Sequence, residues 1–327
     1  MKGKLRRRNV DRANELRLMV RVAHLYYERE LSQHDIGRMV GLSRPMVSRL
    51  LNRARAEGVV KIQIAYPTDD SSSLRQELEQ RFALEEAVIV DVDPGLSAAD
   101  LTRDIALAAS RYLSNVASTR KVIGFSWGKT LSAMVDQTLP QLHENLLLVQ
   151  LLGGTGGPDE VFQASDIVRR LSGLFRCRVS SLPSPGFVDN PALRKMLLQN
   201  EQVARALNEA KACEIAFVGI GSLDDPASVN PILLKPGAKE ALRRRGAVGD
   251  ISLRYFDGDG VPVEGEVANQ VVGLTPDELR SIPVRVGVAG GSQKASAILG
   301  ALRGRWVNVL ITDAATAEAV LSAQPES

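Results

Sequence analysis

A glycine-rich segment carrying a lysine and two hydroxyl residues, KVIGFSWGKTLSAM at residues 121–134, has the residue types of an anion-binding loop. The phosphate loops of nucleotide hydrolases follow the pattern GxxxxGK[ST], because the chain must wrap around the β-phosphate. Here only three residues separate Gly124 from Gly128, and one of them is the bulky Trp127. This spacing argues against ATP and favours another anion bound where a strand turns into a helix. The candidate ligand residues in this turn are Ser126, Lys129 and Thr130.

Three more small-residue turns follow apolar runs farther along the chain: GGTGG after 146–152, GS after 214–220 and GGSQK after 284–290. In an open α/β sheet, ligands bind in the crevice beyond the carboxyl ends of the strands. We therefore expect all four turns to line one polar pocket. Lysine and hydroxyl groups would hold an anionic oxygen, and carboxylates would accept hydrogen bonds from hydroxyls, which together describe a phosphorylated sugar or polyol. The further candidates are Gly153, Gly154, Gly221, Asp250, Asp257 and Lys294.

Two of these candidates have ordinary alternative explanations. Lys294 is also compatible with a solvated helix lysine, and the DGDG sequence that begins at Asp257 is compatible with a simple turn. The same four residues begin like a calcium loop, but the glutamate that such a loop needs at its final position is missing.

The elements that must position this pocket follow from the alternation beyond residue 84. Continuous apolar or β-branched runs occupy 87–92, 121–125, 146–152, 177–182, 214–220, 284–290 and 307–312. Helix-period stretches lie between them at 98–115, 129–139, 164–174 and 192–209. Uninterrupted apolar strands that alternate with helices indicate a parallel sheet covered on both faces. Residues 85–327 are thus predicted to form an α/β domain with a mostly parallel sheet, preceded by a linker helix within 67–84.

The N-terminal part predicts a helix-turn-helix. Apolar residues recur at spacings of three and four within 15–31, as on one face of a helix. Ser32 and Asp35 have the form of a capping box, which predicts a short second helix from about residue 33 to 40. Gly41 then permits a left-handed turn, and the Ser43 hydroxyl is suited to cap a third helix.

The third helix is predicted to contact DNA. Its packing face consists of Met46, Val47, Leu50, Leu51 and Ala54. The opposite, arginine-rich face would lie in the major groove, where Arg bonds guanine bidentately and hydroxyls or amides bind phosphate. The sequence GVVKIQI then predicts one strand. The candidate DNA-binding residues are Gln33, Ser43, Arg44, Pro45, Ser48, Arg49, Asn52, Arg53 and Lys61.

Because arginine-rich helix faces are often simply exposed to solvent, the interpretation as a DNA-binding face depends also on the distribution of charge along the chain. Residues 1–66 hold 15 Lys and Arg against 6 Asp and Glu, a net charge of +9. Residues 67–327 hold 26 against 32, a net charge of −6. A strongly basic end joined to a capped helix-turn-helix favours a polyanionic partner, and we interpret residues 1–66 as a DNA-binding domain.

Composition excludes several other classes. The hydrophobic fraction of 44% and charged fraction of 24% are those of an average globular protein, and no apolar run is long enough to cross a membrane. No apolar signal-peptide core follows the basic start, so we expect a cytoplasmic protein. Cys177 and Cys213 are expected to be buried free thiols, and the three histidines lie too far apart for a zinc site.

Four motifs, in this order along the chain, resemble the SorC family of bacterial sugar-responsive transcriptional regulators. They are LSQHDIGRMVGLSRPMVSRLLNRARAEGVVKIQI, VIGFSWGKTL, VGDISLRYFDGDG and AGGSQKASAILGALRGRWVNVLITD. The resemblance implies a large domain similar in fold to glucosamine-6-phosphate deaminase and ribose-5-phosphate isomerase. It also implies assembly as a dimer or tetramer, and operator affinity that a sugar phosphate or related polyol changes.

Carried over by position, the first effector loop of the family falls on Gly124, Trp127, Gly128, Lys129 and Thr130, and the second on Gly153 and Gly154. The acidic segment and the late lysine of the family fall on Asp250, Asp257 and Lys294. The segment QASDI adds Gln163 as a candidate effector contact. It has Ser165 where the family pattern has Asn, so no contact is transferred to Ser165.

Three functions compete at this point. The first is a ligand-gated transcriptional regulator of a carbohydrate or polyol operon, with no cofactor and with operator DNA, a small carbohydrate and further copies of itself as partners. The second is a sugar-phosphate isomerase or deaminase fused to a DNA-binding domain, but no histidine lies in any glycine turn to serve as its acid or base. The third, an ATP-hydrolysing DNA-binding protein, has only the misspaced loop in its favour. We therefore predict a regulator and not an enzyme.

Overall fold

The computed structural model of the chain describes residues 2–60, 71–92, 95, 97–154, 164–225 and 237–323, with the side chains of the first helix described from residue 15 onward. The chain forms two compact units, Met1–Tyr66 and Pro67–Ser327. None of the helices in the described ranges is both long and apolar enough to span a membrane.

The smaller unit consists of three helices in its described part: α1 (Lys2–Tyr27), α2 (Gln33–Val40) and α3 (Arg44–Ala56). The Ser32 hydroxyl accepts a hydrogen bond from the Asp35 amide at 3.2 Å and so begins α2 as predicted. Gly41 ends α2 with φ 73°, a left-handed conformation that glycine adopts without a steric penalty. Local capping alone therefore defines the turn between α2 and α3.

One apolar cluster holds these three helices together. Its fully buried members come from every helix of the unit: Met19, Val22, Ala23, Ile36, Val47, Leu51 and Ala54. Two predictions for α3 are wrong. Met46 is 46% exposed instead of packed, and Ser43 begins the helix without a side-chain capping bond, which leaves its hydroxyl exposed at the helix start.

The larger unit is built on a seven-stranded sheet in which every neighbouring pair is parallel. Its strands are β1 (Glu86–Val90), β2 (Val122–Phe125), β3 (Leu147–Gln150), β4 (Arg178–Ser180), β5 (Ile215–Gly219), β9 (Val284–Val288) and β10 (Val309–Asp313). Their spatial order is β1-β10-β9-β5-β2-β3-β4. Five lie within predicted strand runs, whereas β1 begins one residue before its run and β10 ends one residue after its run. The four strands followed by glycine turns, β9, β5, β2 and β3, are consecutive neighbours.

Helices cover both faces of this sheet, which explains why its strands are apolar without alternation. The helices are α4 (Ser72–Phe82), α5 (Ala98–Ala117), α6 (Lys129–Gln137), α7 (Ala164–Phe175), α8 (Pro191–Gln199), α9 (Glu201–Lys211), α10 (Ala238–Arg244), α11 (Pro276–Ser281), α12 (Ala295–Arg303) and α13 (Ala314–Ser322). One apolar cluster packs α5, α6 and α7 on one face, and another packs α4, α9, α12 and α13 on the other.

Two helix predictions need correction. The stretch 192–209 is two helices, because Asn200 ends α8 and its side chain accepts bonds from the amides of Gln202 and Val203 to begin α9. The linker helix, α4, is an integral part of the larger unit: Leu78 is completely buried there, and the Glu79 carboxylate accepts a bond from the Ala87 amide at 2.9 Å.

A second, antiparallel sheet was not predicted. It consists of β6 (Gly221–Ser222), β7 (Gly249–Ile251) and β8 (Arg254–Phe256), and β6 follows β5 almost directly. β7 and β8 form a hairpin whose two-residue turn is Ser252–Leu253. This small sheet carries two candidate effector residues, Gly221 and Asp250, which are paired with each other across β6 and β7.

Candidate functional site

The solvent-facing side of α3 is the candidate DNA-reading surface. Arg44, Pro45, Arg49 and Asn52 are exposed, and Ser48 is half-buried. Opposite them, Val47, Leu51 and Ala54 are buried in the core of the unit. Gln33, half-buried, lies at the first position of α2. The helix is thus amphipathic in the way a recognition helix must be, since its own packing leaves the basic face uncovered.

Two arginines of α3 are engaged inside the unit. Arg53 forms ion pairs with Glu15 of α1 and, at 2.8 Å, with Glu57. The hydrogen bond with Glu15, followed by the one with Glu57, holds the pKa of Arg53 well above its ordinary value. Arg55 donates to the Tyr27 hydroxyl at 2.7 Å and lies over that ring. Arg53 therefore ties α3 to α1, and we expect it to contribute less to DNA contact than its exposed neighbours on α3. Lys61 and most of its predicted strand lie outside the described residues.

The turn from β2 to α6 has the geometry of an anion site at a helix start. Gly128 is the N-cap of α6 with φ 140°, a conformation that side-chain-bearing residues rarely adopt. The first amides of α6 have no partner within the helix and point out of its positive end. Lys129 is exposed and Thr130 half-buried beside them. Trp127 is half-buried against an apolar cluster that includes Leu253.

Other residues of the predicted loops have structural roles. Gly124 lies within β2, where a Cβ would approach the Leu151 side chain to 2.6 Å, so it belongs to the core and not to the pocket. The buried Ser126 hydroxyl accepts a hydrogen bond from the Gly219 amide at 3.1 Å and links the ends of β2 and β5. Ser126 and Gly124 thus support the turn instead of forming its ligand-binding edge.

The GG pair after β3 is also a packing feature. The Gly153 amide donates to the Val272 carbonyl at 3.0 Å, and the Gly154 amide donates to the Ser184 carbonyl at 2.9 Å. A Cβ on Gly153 would lie only 2.4 Å from that Ser184 oxygen. Both amides are therefore occupied by neighbouring backbone, and the prediction that they cradle a ligand oxygen is corrected.

Lys294 lies close enough to Asp250 to act on it electrostatically. Asp250 is 8% exposed; burial raises the pKa of its carboxyl to about 6, although the Leu253 amide and then Lys294 oppose that shift. The Leu253 amide donates to the carboxylate at 3.0 Å. Lys294, whose own amide bonds to Gly291, places its ammonium 3.6 Å from the carboxylate of Asp225. Lys294 thus pairs with the Asp225 carboxylate and interacts electrostatically with Asp250, which gives this place both donors and acceptors for the hydroxyls of a ligand.

The hairpin that carries Asp250 is anchored by a buried arginine that sequence reasoning missed. Arg254 is 5% exposed and donates to three carbonyl oxygens, those of Leu274 at 2.9 Å, Ala268 at 2.9 Å and Gly273 at 3.3 Å. Burial lowers the pKa of its guanidinium to about 10. Arg254 thereby holds β8 against residues 268–274.

Asp257 does not belong to this group. Its carboxylate accepts bonds from the amides of Asp259 and Val261 at 3.0 and 2.8 Å, which makes the DGDG segment a structural turn. That turn packs through Gly260 against Gly304, just beyond the last residue of α12. Lys294 directly precedes the first residue of the same helix, so the nine residues of α12, about 13 Å of helix, separate it from Gly304. The prediction for Asp257 is therefore corrected. Gln163 lies outside the described residues.

In the described ranges no cluster of His, Cys, Asp or Glu could hold a metal ion. Both cysteines are free thiols; burial raises the pKa of Cys177 to about 11 and that of Cys213 to about 12, as in unreactive core cysteines.

A helix-turn-helix unit joined to an α/β unit with a polar edge defines a DNA-binding regulator that carries a ligand-binding domain. Comparison with known families gives the same result. Residues 66–322 match the family model described as "Putative sugar-binding domain", and residues 30–60 match the model described as "Bacterial regulatory proteins, crp family". The chain belongs to the SorC family of sugar-binding transcriptional regulators.

Its relatives are similar over almost their entire length. The chain is 30% identical to the sorbitol operon regulator of Klebsiella pneumoniae, over 95% of this chain and 100% of that protein. It is 30% identical to the deoxyribonucleoside regulator of Bacillus subtilis, over 96% of this chain and 99% of that protein. The crystal structure of the full-length sorbitol operon regulator from Klebsiella pneumoniae matches with a TM-score of 0.76 at 29% identity, covering 94% of this chain and 98% of that one.

These findings confirm three predictions: the family, a helix-turn-helix combined with a mostly parallel α/β domain, and a transcriptional regulator in preference to an enzyme. The more specific likeness to glucosamine-6-phosphate deaminase and ribose-5-phosphate isomerase stays a prediction.

Proposed function

We propose that this protein regulates an operon for the catabolism of a carbohydrate or polyol, and that a phosphorylated sugar or polyol bound in the larger unit changes its affinity for operator DNA. The sorbitol operon and deoxyribonucleoside regulators among its relatives support this class of effector. Domain limits of 1–66 for DNA binding and 67–327 for effector binding are part of the proposal.

DNA recognition is assigned to the exposed face of α3. In this proposal Arg49 and Asn52 contact base edges. Ser43, Arg44 and the first amides of α3 contact phosphates. Gln33 at the start of α2 and Pro45 and Ser48 on α3 complete this surface. The net charge of +9 over residues 1–66 supplies the nonspecific attraction to the DNA backbone.

The effector is assigned to the carboxyl edge of the parallel sheet. The α6 helix start, with Gly128, Lys129 and Thr130, would hold the anionic group, because unpaired amides and the helix dipole favour negative charge there. Asp250 and Lys294 would bind hydroxyls and a second oxygen, next to Gly221. Trp127 would form an apolar wall.

The observation that carries this proposal is the buried Asp250 carboxyl in the field of Lys294, two groups remote in sequence that only the fold brings together. Burying an ionisable group costs free energy even when it is partly paired, and groups with shifted pKa values cluster at functional sites, so this pair supports the assignment of a ligand site here.

The experiment has two stages. Full-length protein is first screened by thermal shift against pentose, hexose and polyol phosphates and their unphosphorylated forms, because a ligand that binds only the native state raises the melting temperature. The active ligand is then titrated into a complex of the protein with genomic DNA fragments that it selects, followed by fluorescence anisotropy. Reciprocity requires that the ligand change DNA affinity by the factor by which DNA changes ligand affinity.

Lys294→Ala tests the assignment, with Lys195→Ala on the exposed surface of α8 as its control. The first variant should lose the ligand response while retaining DNA binding without ligand, and the second should retain both. A ligand that raises the melting temperature but leaves DNA affinity unchanged would contradict the regulatory coupling.

We also propose that the protein acts as a homo-oligomer, a dimer or a tetramer. A single helix-turn-helix reads one half-site, and the regulators of this class pair two of them one or more helical turns apart on DNA. Light scattering coupled to gel filtration measures the assembly directly, and a monomer at working concentration would contradict it.

A further inference from the structure

Ser252 has an unusual environment for a residue in a turn. It is only 4% exposed, and among the described residues its hydroxyl has no hydrogen-bond partner. Buried hydroxyls are nearly always paired, because an unmade hydrogen bond leaves the lost hydration uncompensated. A hydroxyl kept buried in this state is consistent with a partner that arrives from outside the chain.

The backbone holds this hydroxyl in a conformation that serine does not favour. Ser252 and Leu253 have φ values of 55° and 61°, the pattern of a type I′ turn, which glycine and asparagine adopt far more readily. The turn is nevertheless secured on both sides. Ile251 pairs with Arg254, the Asp250 carboxylate accepts the Leu253 amide, and Arg254 is bound to three carbonyls. Strained backbone that its surroundings over-determine is a feature of ligand sites.

The turn also lies between the two halves of the proposed effector site. Leu253 packs in the same apolar cluster as Trp127, which precedes the Gly128 cap of α6. Asp250, two residues before Ser252, is in the field of Lys294. Ser252 therefore connects the part of the site assigned to the anionic group with the part assigned to hydroxyls.

We infer that Ser252 is a specificity-determining residue of this site, and that its hydroxyl binds a hydroxyl of the effector adjacent to the one held by Asp250. This inference rests on the proposed function. A serine hydroxyl both donates and accepts, whereas an ionised Asp250 only accepts. Together they match two neighbouring hydroxyl groups on a sugar or polyol phosphate and discriminate against a deoxy compound, which would leave the serine unpaired.

The test uses full-length protein, isothermal titration calorimetry and paired ligands: pentose, hexose and polyol phosphates with their deoxy analogues. Ser252→Ala should weaken binding of the hydroxylated ligand at least about tenfold and leave the deoxy analogue unaffected. Its melting temperature without ligand should equal or exceed that of the wild type, since an unpaired hydroxyl is removed. Ser252→Gly also removes the hydroxyl, and glycine adopts the positive φ of this position without strain. It should therefore show the same loss of affinity as Ser252→Ala.

Thr312→Val is the matched control. Thr312 is a completely buried residue of β10 whose hydroxyl is likewise unpaired among the described residues, and it pairs with Ile89 on the β1 side of the sheet. Loss of the Thr312 hydroxyl in this variant should leave ligand affinity unchanged. Equal affinity of wild type and both Ser252 variants for the hydroxylated ligand would overturn the role of Ser252 alone. Failure of every ligand to bind the wild type would instead refute the proposed effector site, and the inference with it.

Discussion

Asp250→Asn should make the effector-free protein more stable at neutral pH while abolishing its response to effector. The carboxyl is buried, and its pKa of about 6 lies above its ordinary value of 3.8. The folded protein thus holds the proton more tightly than the unfolded chain. Ionised Asp250 destabilises the fold, and asparagine removes that charge while keeping an oxygen that can accept the Leu253 amide.

The magnitude follows from proton linkage. The shift is about two pKa units, and each unit corresponds to about 1.4 kcal/mol, so ionisation of Asp250 lowers the free energy of unfolding by about 3 kcal/mol. This loss is absent below about pH 4, develops as pH rises to about 6 and is complete above it. The new amide N–H group needs a partner of its own, so the net gain for the variant at pH 7 is about 1 to 3 kcal/mol.

Urea unfolding followed by tryptophan fluorescence provides the assay. The only two tryptophans, Trp127 and Trp306, both belong to the larger unit, so the signal reports on that unit. Wild type and variant are compared at equal protein concentration at several values between pH 4.5 and 8. The stability difference should grow in favour of the variant as pH rises to about 6.5 and then level off.

A difference that does not change with pH would refute the reasoning, because it would show that Asp250 titrates alike in the folded and unfolded states. A variant less stable than wild type at pH 7 would show that the carboxylate is stabilised by Lys294 and the Leu253 amide more than burial penalises it. Such a result would also remove the argument that function retains this charge at the expense of stability.

Three other predictions concern the two units separately. Ile36→Ala, which empties a fully buried position of the small unit, should destabilise that unit by about 2–5 kcal/mol and abolish DNA binding in anisotropy titrations without altering the tryptophan unfolding curve. Arg49→Ala should reduce the preference for operator over random DNA by about 1–3 kcal/mol. Arg53→Ala should change that preference little, because Arg53 is paired with Glu15 and Glu57; equal losses for the two variants would show that Arg53 also reads a base. Gly153→Ala should lower the melting temperature through the clash with the Ser184 carbonyl, and an unchanged temperature would contradict the close packing assigned to it.

Much of the architecture was predictable because its signals are local. The seven apolar runs are the seven strands of the parallel sheet, since strands buried on both faces need continuous apolar residues. The start and the end of α2 follow from Ser32 and Gly41. The break between α8 and α9 was missed because Asn200 is compatible with a helix interior as well as with a cap. The antiparallel sheet was missed because its two- and three-residue strands are too short for any periodicity.

The candidate site was predictable only in part. Asp250 and Lys294 were predicted to share one pocket, and the structure places Asp250 on β7 of the small antiparallel sheet, within electrostatic reach of Lys294. Ser252 and Arg254 were not singled out, because the sequence pattern around them does not indicate that these two polar side chains are buried. Asp257 was misplaced because six residues of chain separate it from Asp250, enough for the hairpin to carry it to the other end of α12.

The sequence by itself determined the division into a basic helix-turn-helix and an acidic α/β part, the strands, and the edge of the sheet where a ligand would bind. These features depend on periodicity, caps and charge, which neighbouring residues specify. Only the tertiary structure decided which candidates are free to bind. The amide of Gly153 donates to Val272 and that of Gly154 to Ser184, Arg53 is paired with Glu15, and the hydroxyl of Ser252 is left unpaired among the described residues. Whether a polar group is satisfied depends on segments remote in the chain that folding brings within hydrogen-bonding distance, and no local pattern records them.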